Sequence, residues 1–370
     1  MALFADHEVV ERMFAHIDRR ESDMGDAVWR EPVESYRSEA RLAAELALMR
    51  RLPVPFCPSA ALPRAGDYVA REAAGVPLVA VRGTDGRVRV FRNACRHRGV
   101  EVARGSGNTR AFVCAYHAWS YGLDGQLRGV PHDDGFPGLD RAAHGLKEVA
   151  AREHGGVVFV AQDGPIGDAD FAGLPVLFEA GWTPVEVLER DLACNWKVFA
   201  ESFLEGYHIR YTHGDTFYPR QYDNINVVEP FGRYCRIAFP YQSIEKLRGR
   251  DATGASVAGK LTYVYHLFPN AVIATFPKRT ILTVLEPRGP ALTRYHTWSM
   301  ASPEAQREDA EGVLRDAEFA ERGIAQDRAV VESIQRGMAS GANEAYTFGL
   351  YESAIVHFHR NLHALIDAPA

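Results

Sequence analysis

The sequence predicts an α+β protein: a small all-β domain followed by a larger domain that mixes strands with helices. Three features carry that expectation. From Pro53 to about residue 163 the chain alternates short β-forming runs with Gly-containing turns. Between residues 225 and 299 strand-like runs recur, following a helical stretch at 196–207. At Ser302-Pro303-Glu304, a Ser N-cap and a Pro at the first helical position open a helix. It runs to the Gly337–Gly341 stop, with a break expected near Gly323. A chain of 370 residues has room for two or three domains. The expected divisions are a helical segment over 1–50 packing on the C-terminal domain, the β-rich domain over 51–163, and the C-terminal domain over 164–370.

Taken in order, residues 1–50 read as largely helical with a break at Pro32. Leu42, Leu46 and Met49 recur at spacings of four and three, and Arg41, Glu45 and Arg50 supply charge around them. No chemistry is visible there, so the segment reads as a packing arm or an oligomer contact. In the β-rich region, Asp67–Arg71, Pro77–Arg82 and Val88–Asn93 carry β-formers, and Asp85-Gly86 joins the last two as a hairpin. Tyr121–Gly125 makes another turn, and Gly156–Val160 reads as a buried closing strand. Gly105-Ser106-Gly107 lacks the third Gly and the strand–helix setting of a dinucleotide loop, so it reads as a turn. Asp163–Pro184, rich in Gly, Pro and Asp, reads as a connection. Strands are expected at Ile225–Glu229, Tyr234–Pro240, Leu261–Phe268, Ala271–Phe276, Thr280–Pro287 and Thr293–Ser299.

Composition narrows the function classes. Hydrophobic residues make up 46% and charged residues 24%, as in ordinary globular proteins. The first residues lack the basic region and apolar run of a signal peptide. No run of about 18 apolar residues occurs, so a cytoplasmic protein without a membrane span is expected. Of five cysteines, Cys57, Cys194 and Cys235 read as reduced core thiols. A net charge of -6 argues against a nucleic-acid partner.

The informative chemistry begins at Cys95-Arg96-His97-Arg98-Gly99 and Cys114-Ala115-Tyr116-His117. Structural zinc sites usually pair Cys with Cys and His with His. Here each loop is mixed, which suits a [2Fe–2S] cluster whose irons are held by two Cys and by two His. A zinc knuckle is the competing reading. Neutral imidazoles in place of two thiolates reduce the negative charge and raise the reduction potential.

The second constellation runs from Asn195-Trp196-Lys197 through Glu201 and Glu205 to His208 and His213. On a continuous helix Phe199, Phe203 and Tyr207 share one face, while Glu201, Glu205 and His208 share another. His208 and His213 are five apart, so they can ligate one metal only if the helix ends between them. Non-haem iron that activates O2 uses two His and one carboxylate. Asp327 falls on the stripe Ile324, Val331, Ile334 and Met338, and a charged residue facing inward asks for a cation. Asp327 is therefore the expected third ligand, with Glu332 and Glu318 as alternatives off that stripe. Tyr263, Tyr265, His266, Phe268, Phe276 and Trp298 are pocket candidates. His357, His359 and His363 do not converge at their i, i+2, i+6 spacing and are expected to be solvated.

Cys95-x-His97-Arg98-Gly99 and Cys114-x-x-His117-x-Trp119 resemble a Rieske centre. With Asn195-Trp196-Lys197, Glu205-x-x-His208-x4-His213 and Asp327-x4-Glu332, nearly the whole chain resembles the terminal oxygenase (α) subunit of Rieske non-haem iron oxygenases, the ring-hydroxylating family. The resemblance implies an N-terminal Rieske domain with Cys95, His97, Cys114 and His117 as cluster ligands. It also implies a C-terminal catalytic domain of helix-grip (START/Bet v1-like) type, an antiparallel sheet wrapped on a long helix. His208, His213 and Asp327 would hold the mononuclear iron, with Glu205 and Asn195 as catalytic residues. The family usually forms trimers in which a carboxylate, here Glu205, bridges the cluster of one subunit to the iron of the next. A Glu at that place resembles carnitine- and choline-type oxygenases.

The expected function is O2-dependent hydroxylation or dihydroxylation of a small aromatic substrate, with electrons from a separate NAD(P)H-dependent reductase of flavin or ferredoxin type. The alternative is a quaternary ammonium monooxygenase or demethylase. A pure electron carrier and a helix-grip binding protein with a zinc knuckle are the other classes in view.

Overall fold

Burial alternates along Asp67–Ala73, with Val69, Arg71 and Ala73 turned inward. That period of two marks a strand with one covered face. The structure, a computed structural model, describes residues 2–367. Two compact units emerge, one of residues 49–181 and one of residues up to Leu48 together with those from Trp182 onward.

In the first unit a seven-stranded antiparallel sheet runs in the order Val54–Pro58, Val157–Ala161, Glu148–His154, Val88–Arg92, Val76–Arg82, Asp67–Ala73, Gly105–Asn108. The Asp85-Gly86 hairpin pairs Arg82 with Val88, and Gly86 sits at φ +78 where a side chain would be strained. Gly105-Ser106-Gly107 is not a turn but part of the edge strand, paired with Tyr68–Ala70. A small sheet of Phe112–Val113, Ser120–Tyr121 and Leu127–Gly129 encloses Trp119 and Tyr121 in a core with Val79, Val81 and Phe91. Residues 164–181, expected as a connection leading into the C-terminal domain, belong to this unit instead. Phe171, Leu174 and Phe178 are buried, Phe171 stacks on His154 at 4.6 Å, and the amides of Leu177 and Phe178 donate to Gly155 O.

The second unit begins with helix α1 (Asp6–Arg19), α2 (Glu34–Arg37) and α3 (Glu39–Arg51), whose last turn crosses the division between units. It resumes with α4 (Trp196–Glu201), α5 (Ile209–Thr212), α6 (Pro303–Glu308), α7 (Ala310–Met338) and α8 (Ser353–Asp367). Its antiparallel sheet is ordered Thr183–Leu192, Leu292–Ala301, Thr280–Gly289, Ala271–Thr275, Leu261–Leu267, Tyr234–Pro240, Val227–Phe231. Register shifts at Pro184/Glu186 and Pro287/Gly289 mark bulges, which bend a sheet. Helix α7 buries Val313, Ala320, Gly323, Asp327, Val331 and Met338, and α4 packs against both α7 and the Thr280–Gly289 strand.

Several expectations change. The strand Thr183–Leu192 was hidden by its charge: it is an edge strand, mostly exposed, carrying Glu186, Glu189, Arg190 and Asp191. The late helix does not break at Gly323. It breaks at Asp309, whose carboxylate caps α7 by accepting from the Gly312 amide at 2.9 Å. Residues 1–50 are not helical throughout, since Trp29–Pro32 pairs with Ala345–Phe348. Glu45 is not a surface charge but is buried, accepting from Lys197 Nζ at 2.7 Å and Trp196 Nε1 at 2.8 Å. All five cysteines are free and buried, and burial pushes the Cys57 and Cys194 thiols up to about 12. Among the described residues no helix is long and apolar enough to cross a membrane.

Candidate metal centres

The first centre is built from two loops of the β-rich unit. Asn93 anchors the first loop: Oδ1 accepts from the Val102 and Ala103 amides, and Nδ2 donates to Ala103 O. The Cys95 amide donates to Val100 O, and Cys114 and Trp119 close the second loop by a bond of 2.9 Å. Both cysteines are buried, His97 is half-buried and His117 is exposed. The imidazoles of His97 and His117 lie 4.7 Å apart, and Trp119 stacks on His97 at 4.9 Å.

Two features fit an iron–sulfur cluster. His97 Nδ1 is buried and has no hydrogen-bond partner, which a metal–nitrogen bond would satisfy. Tyr121 Oη accepts from the Arg96 amide at 2.8 Å, leaving its own proton for Cys95 Sγ at 3.2 Å. A thiolate ligand is the acceptor that arrangement suits.

The second centre lies in the other unit, and the chain reaches it by ending a helix early. Beyond Glu201 the amides of Phe203 and Leu204 turn back to Ala200 O and Glu201 O. The expected continuous helix over 196–207 is thereby replaced by α4 and a tight turn, and the single turn of α5 follows as a separate element. His208 caps the start of α5 and His213 its end. Their Nε2 atoms come within 3.2 Å of each other, and Asp327 Oδ1 lies 3.0 Å from His213 Nε2 and 3.6 Å from His208 Nε2. Asp327 and His213 are buried. Glu318 is exposed and Glu332 half-buried, and neither joins this group.

The tautomers decide what the group can do. His208 Nδ1 donates to Glu205 Oε1, and His213 Nδ1 donates to Gln326 Oε1 at 2.9 Å. The Gln326 oxygen also accepts from Thr216 Oγ1, and its nitrogen donates to Asp215. Both Nε2 atoms therefore turn bare lone pairs toward each other and toward a carboxylate. Three acceptors converging in a partly buried space repel unless a cation lies between them, and two imidazoles with one carboxylate suit divalent iron. Gln326, one residue before Asp327, escaped the sequence reading because a Gln beside a ligand carries no pattern of its own.

Apolar walls surround this group, among them Phe203, Phe217, Phe239, Phe276, Val264 and Ile281. Gly323 makes room for Phe217, which lies 4.7 Å from His213; a Cβ there would come 2.3 Å from the Phe217 ring. Of the proposed aromatic lining only Phe276 faces the cavity. Along Leu261–Leu267 it is Thr262 and Val264 that point in. Tyr263 and Tyr265 take the opposite face and pack near α1, where Tyr263 Oη donates to Asp6. His266 and Phe268 pack on Phe358, and Trp298 stacks on His296.

Asn195 is not part of the site. Its Oδ1 caps α4 through the Lys197 amide at 2.9 Å, and its Nδ2 donates to Tyr36 O and Pro290 O. Every polar atom of its side chain is spent on structure. Nor are the three late histidines free in solvent: His357 and His363 are half-buried. His359 is fully buried, and with His363, one helical turn on, it meets Glu31; His357 turns elsewhere, toward Asn361.

Residues 178–368, more than half of the chain, match the family described as ring hydroxylating alpha subunit (catalytic domain), and residues 53–143 match the Rieske [2Fe-2S] domain. This chain belongs to the ring-hydroxylating α-subunit family. As a Rieske-type oxygenase subunit it pairs a [2Fe–2S] domain with a catalytic domain of the kind that binds mononuclear iron. It is 24% identical to the chloroplastic choline monooxygenase of Arabidopsis thaliana over 319 residues, covering 80% of this chain and 73% of that one. It is 33% identical to biphenyl 2,3-dioxygenase subunit alpha of Rhodococcus jostii over 160 residues, but covers only 40% of this chain and 35% of the relative. Its fold resembles that of the quaternary ammonium Rieske monooxygenase CntA, with a TM-score of 0.79, 20% identity and 99% of each chain covered.

Proposed function

We propose that this chain is the terminal oxygenase of a system in which a separate NAD(P)H-dependent reductase, of flavin or ferredoxin type, supplies electrons. The substrate is a small aromatic compound, hydroxylated or dihydroxylated with O2. The observation that carries this reading is the meeting of His208 Nε2, His213 Nε2 and Asp327 Oδ1 beside an apolar cavity. When bound, the cluster supplies one-electron storage and the mononuclear iron supplies O2 activation.

The chain's own residues do the rest. Cys95, His97, Cys114 and His117 would hold the cluster, and His208, His213 and Asp327 would hold the iron. Glu205 and Gln326 fix the two imidazole rings by their Nδ1 protons, which keeps Nε2 basic. The phenylalanine and aliphatic walls exclude water and favour an apolar substrate. In the proposed assembly, a homotrimer, Glu205 also links His208 to the cluster histidine of the neighbouring subunit. Its unpaired buried thiols suit the reducing cytoplasm.

A second reading is favoured by the Phe203, Phe217, Phe239 and Phe276 rings, whose faces attract a quaternary ammonium group. Among the described lining residues there is no Lys or Arg. A choline-like alcohol then fits better than a zwitterion whose carboxylate would need a cationic partner.

Oxygen uptake and product analysis with a surrogate reductase, across neutral aromatics, aromatic acids, choline and betaines, separates these readings. Neutral aromatics are expected to give coupled product. Product from carboxylated substrates alone would overturn the cavity argument. Glu205→Gln keeps an acceptor for His208, so iron and cluster are expected to stay while turnover stops. Unimpaired turnover by that variant would remove Glu205 from the electron path.

A further inference from the structure

The second unit holds another two-histidine, one-carboxylate group, formed by Glu31, His359 and His363, that the oxygenase chemistry does not use. His359 and His363 lie one turn apart on α8, the i,i+4 spacing that sets two imidazoles on one helix face for a metal. Glu31 comes from the Trp29–Pro32 strand and is fully buried, as is His359. His363 Nε2 lies 3.1 and 3.0 Å from the two Glu31 oxygens, and His359 Nδ1 lies 3.4 Å from Glu31 Oε2.

The hydrogen bonds leave one gap. Glu201 Oε1 accepts from Tyr36 Oη at 2.8 Å and from His359 Nε2 at 2.9 Å. That fixes the His359 proton on Nε2 and leaves Nδ1 bare, buried and without a hydrogen-bond partner, facing a carboxylate. Glu31 meanwhile accepts from Trp29 Nε1 at 2.9 Å and Ser35 Oγ at 2.5 Å. A ligating imidazole held by a carboxylate on its far nitrogen, and a ligating carboxylate held by donors, is the supporting pattern around bound metals.

We propose that Glu31, His359 Nδ1 and His363 Nε2 form a third metal site, which takes Zn2+ and ties the Trp29–Pro32 strand to α8. Two His and one Glu are a known zinc donor set that leaves a fourth position for water, and the half-exposed His363 marks the open side.

The test uses the holoprotein with both iron centres loaded. After dialysis against micromolar Zn2+ and desalting, about one zinc per chain is expected with about three irons retained. In His363→Gln and, separately, Glu31→Gln, zinc is expected to fall at least about 10-fold with iron and sulfide unchanged. Zinc-edge X-ray absorption on the wild-type protein, which needs no variant to fold, is expected to show two imidazoles and no sulfur. Zinc at background in the wild type, zinc in either variant equal to that of the wild type, zinc gained only as iron is lost, or sulfur around the zinc would each overturn the proposal.

Discussion

The two iron-binding regions solve opposite problems. In the β-rich unit the four candidate ligands sit on two short loops, with the thiols buried and His117 at the surface. A site that only passes electrons needs a rigid cradle and an exposed edge, with no room for a substrate. In the catalytic unit the three candidate ligands come from the two ends of α5 and the middle of α7, and they border an apolar cavity. Chemistry on O2 needs open coordination positions next to a substrate, so the donors must gather on one side. The difference shows in the neighbours: backbone amides and Tyr121 shape the cluster loops, whereas Glu205 and Gln326 aim the imidazoles of the candidate ligands His208 and His213.

Substitutions can break that contrast in descending order of effect. Asp327→Ala removes a proposed direct ligand, so iron in the catalytic domain and turnover should both fall by more than about 100-fold, beyond what the loss of a supporting group costs. The cluster's visible absorbance should be untouched, and metal analysis with oxygen uptake reads both. Gln326→Leu keeps the bulk but frees the His213 ring, and iron affinity should drop about 10–100-fold. Gly323→Ala pushes on Phe217, and denaturant unfolding of the catalytic domain should show a loss of about 1–3 kcal/mol. Turnover should fall as well, because Phe217 backs His213.

Asn195→Ala removes a cap and should cost about 1 kcal/mol of stability, with iron content and kcat of the folded fraction unchanged. A kcat collapse with stability intact would return Asn195 to the catalytic group. The mildest change is Tyr121→Phe. It withdraws a hydrogen bond from Cys95 Sγ, so the cluster potential should fall, as voltammetry would read, while both metal contents stay whole.

Much of this protein is legible in its residues one stretch at a time. The mixed Cys–His loops announce their chemistry because both donors of each pair lie within four residues and a loop holds them. The Asp85-Gly86 hairpin and the α6 start are equally local, each set by one backbone preference. Asp327 could be found because a charge on an apolar helical stripe is anomalous without tertiary information.

Tertiary packing decided the rest. Whether the helix ends between His208 and His213 depended on how the residues after Glu201 pack, not on their helix propensity. Which residues line the cavity followed from which face of Leu261–Leu267 met α1. Asn195 looked chemical and became a cap, since Tyr36 and Pro290, far off in sequence, took up its amide. His359 and His363 looked solvated until a strand from the other end of the chain brought Glu31 to them. A sequence specifies spacing along one backbone; convergence of donors in space requires segments hundreds of residues apart to share one core.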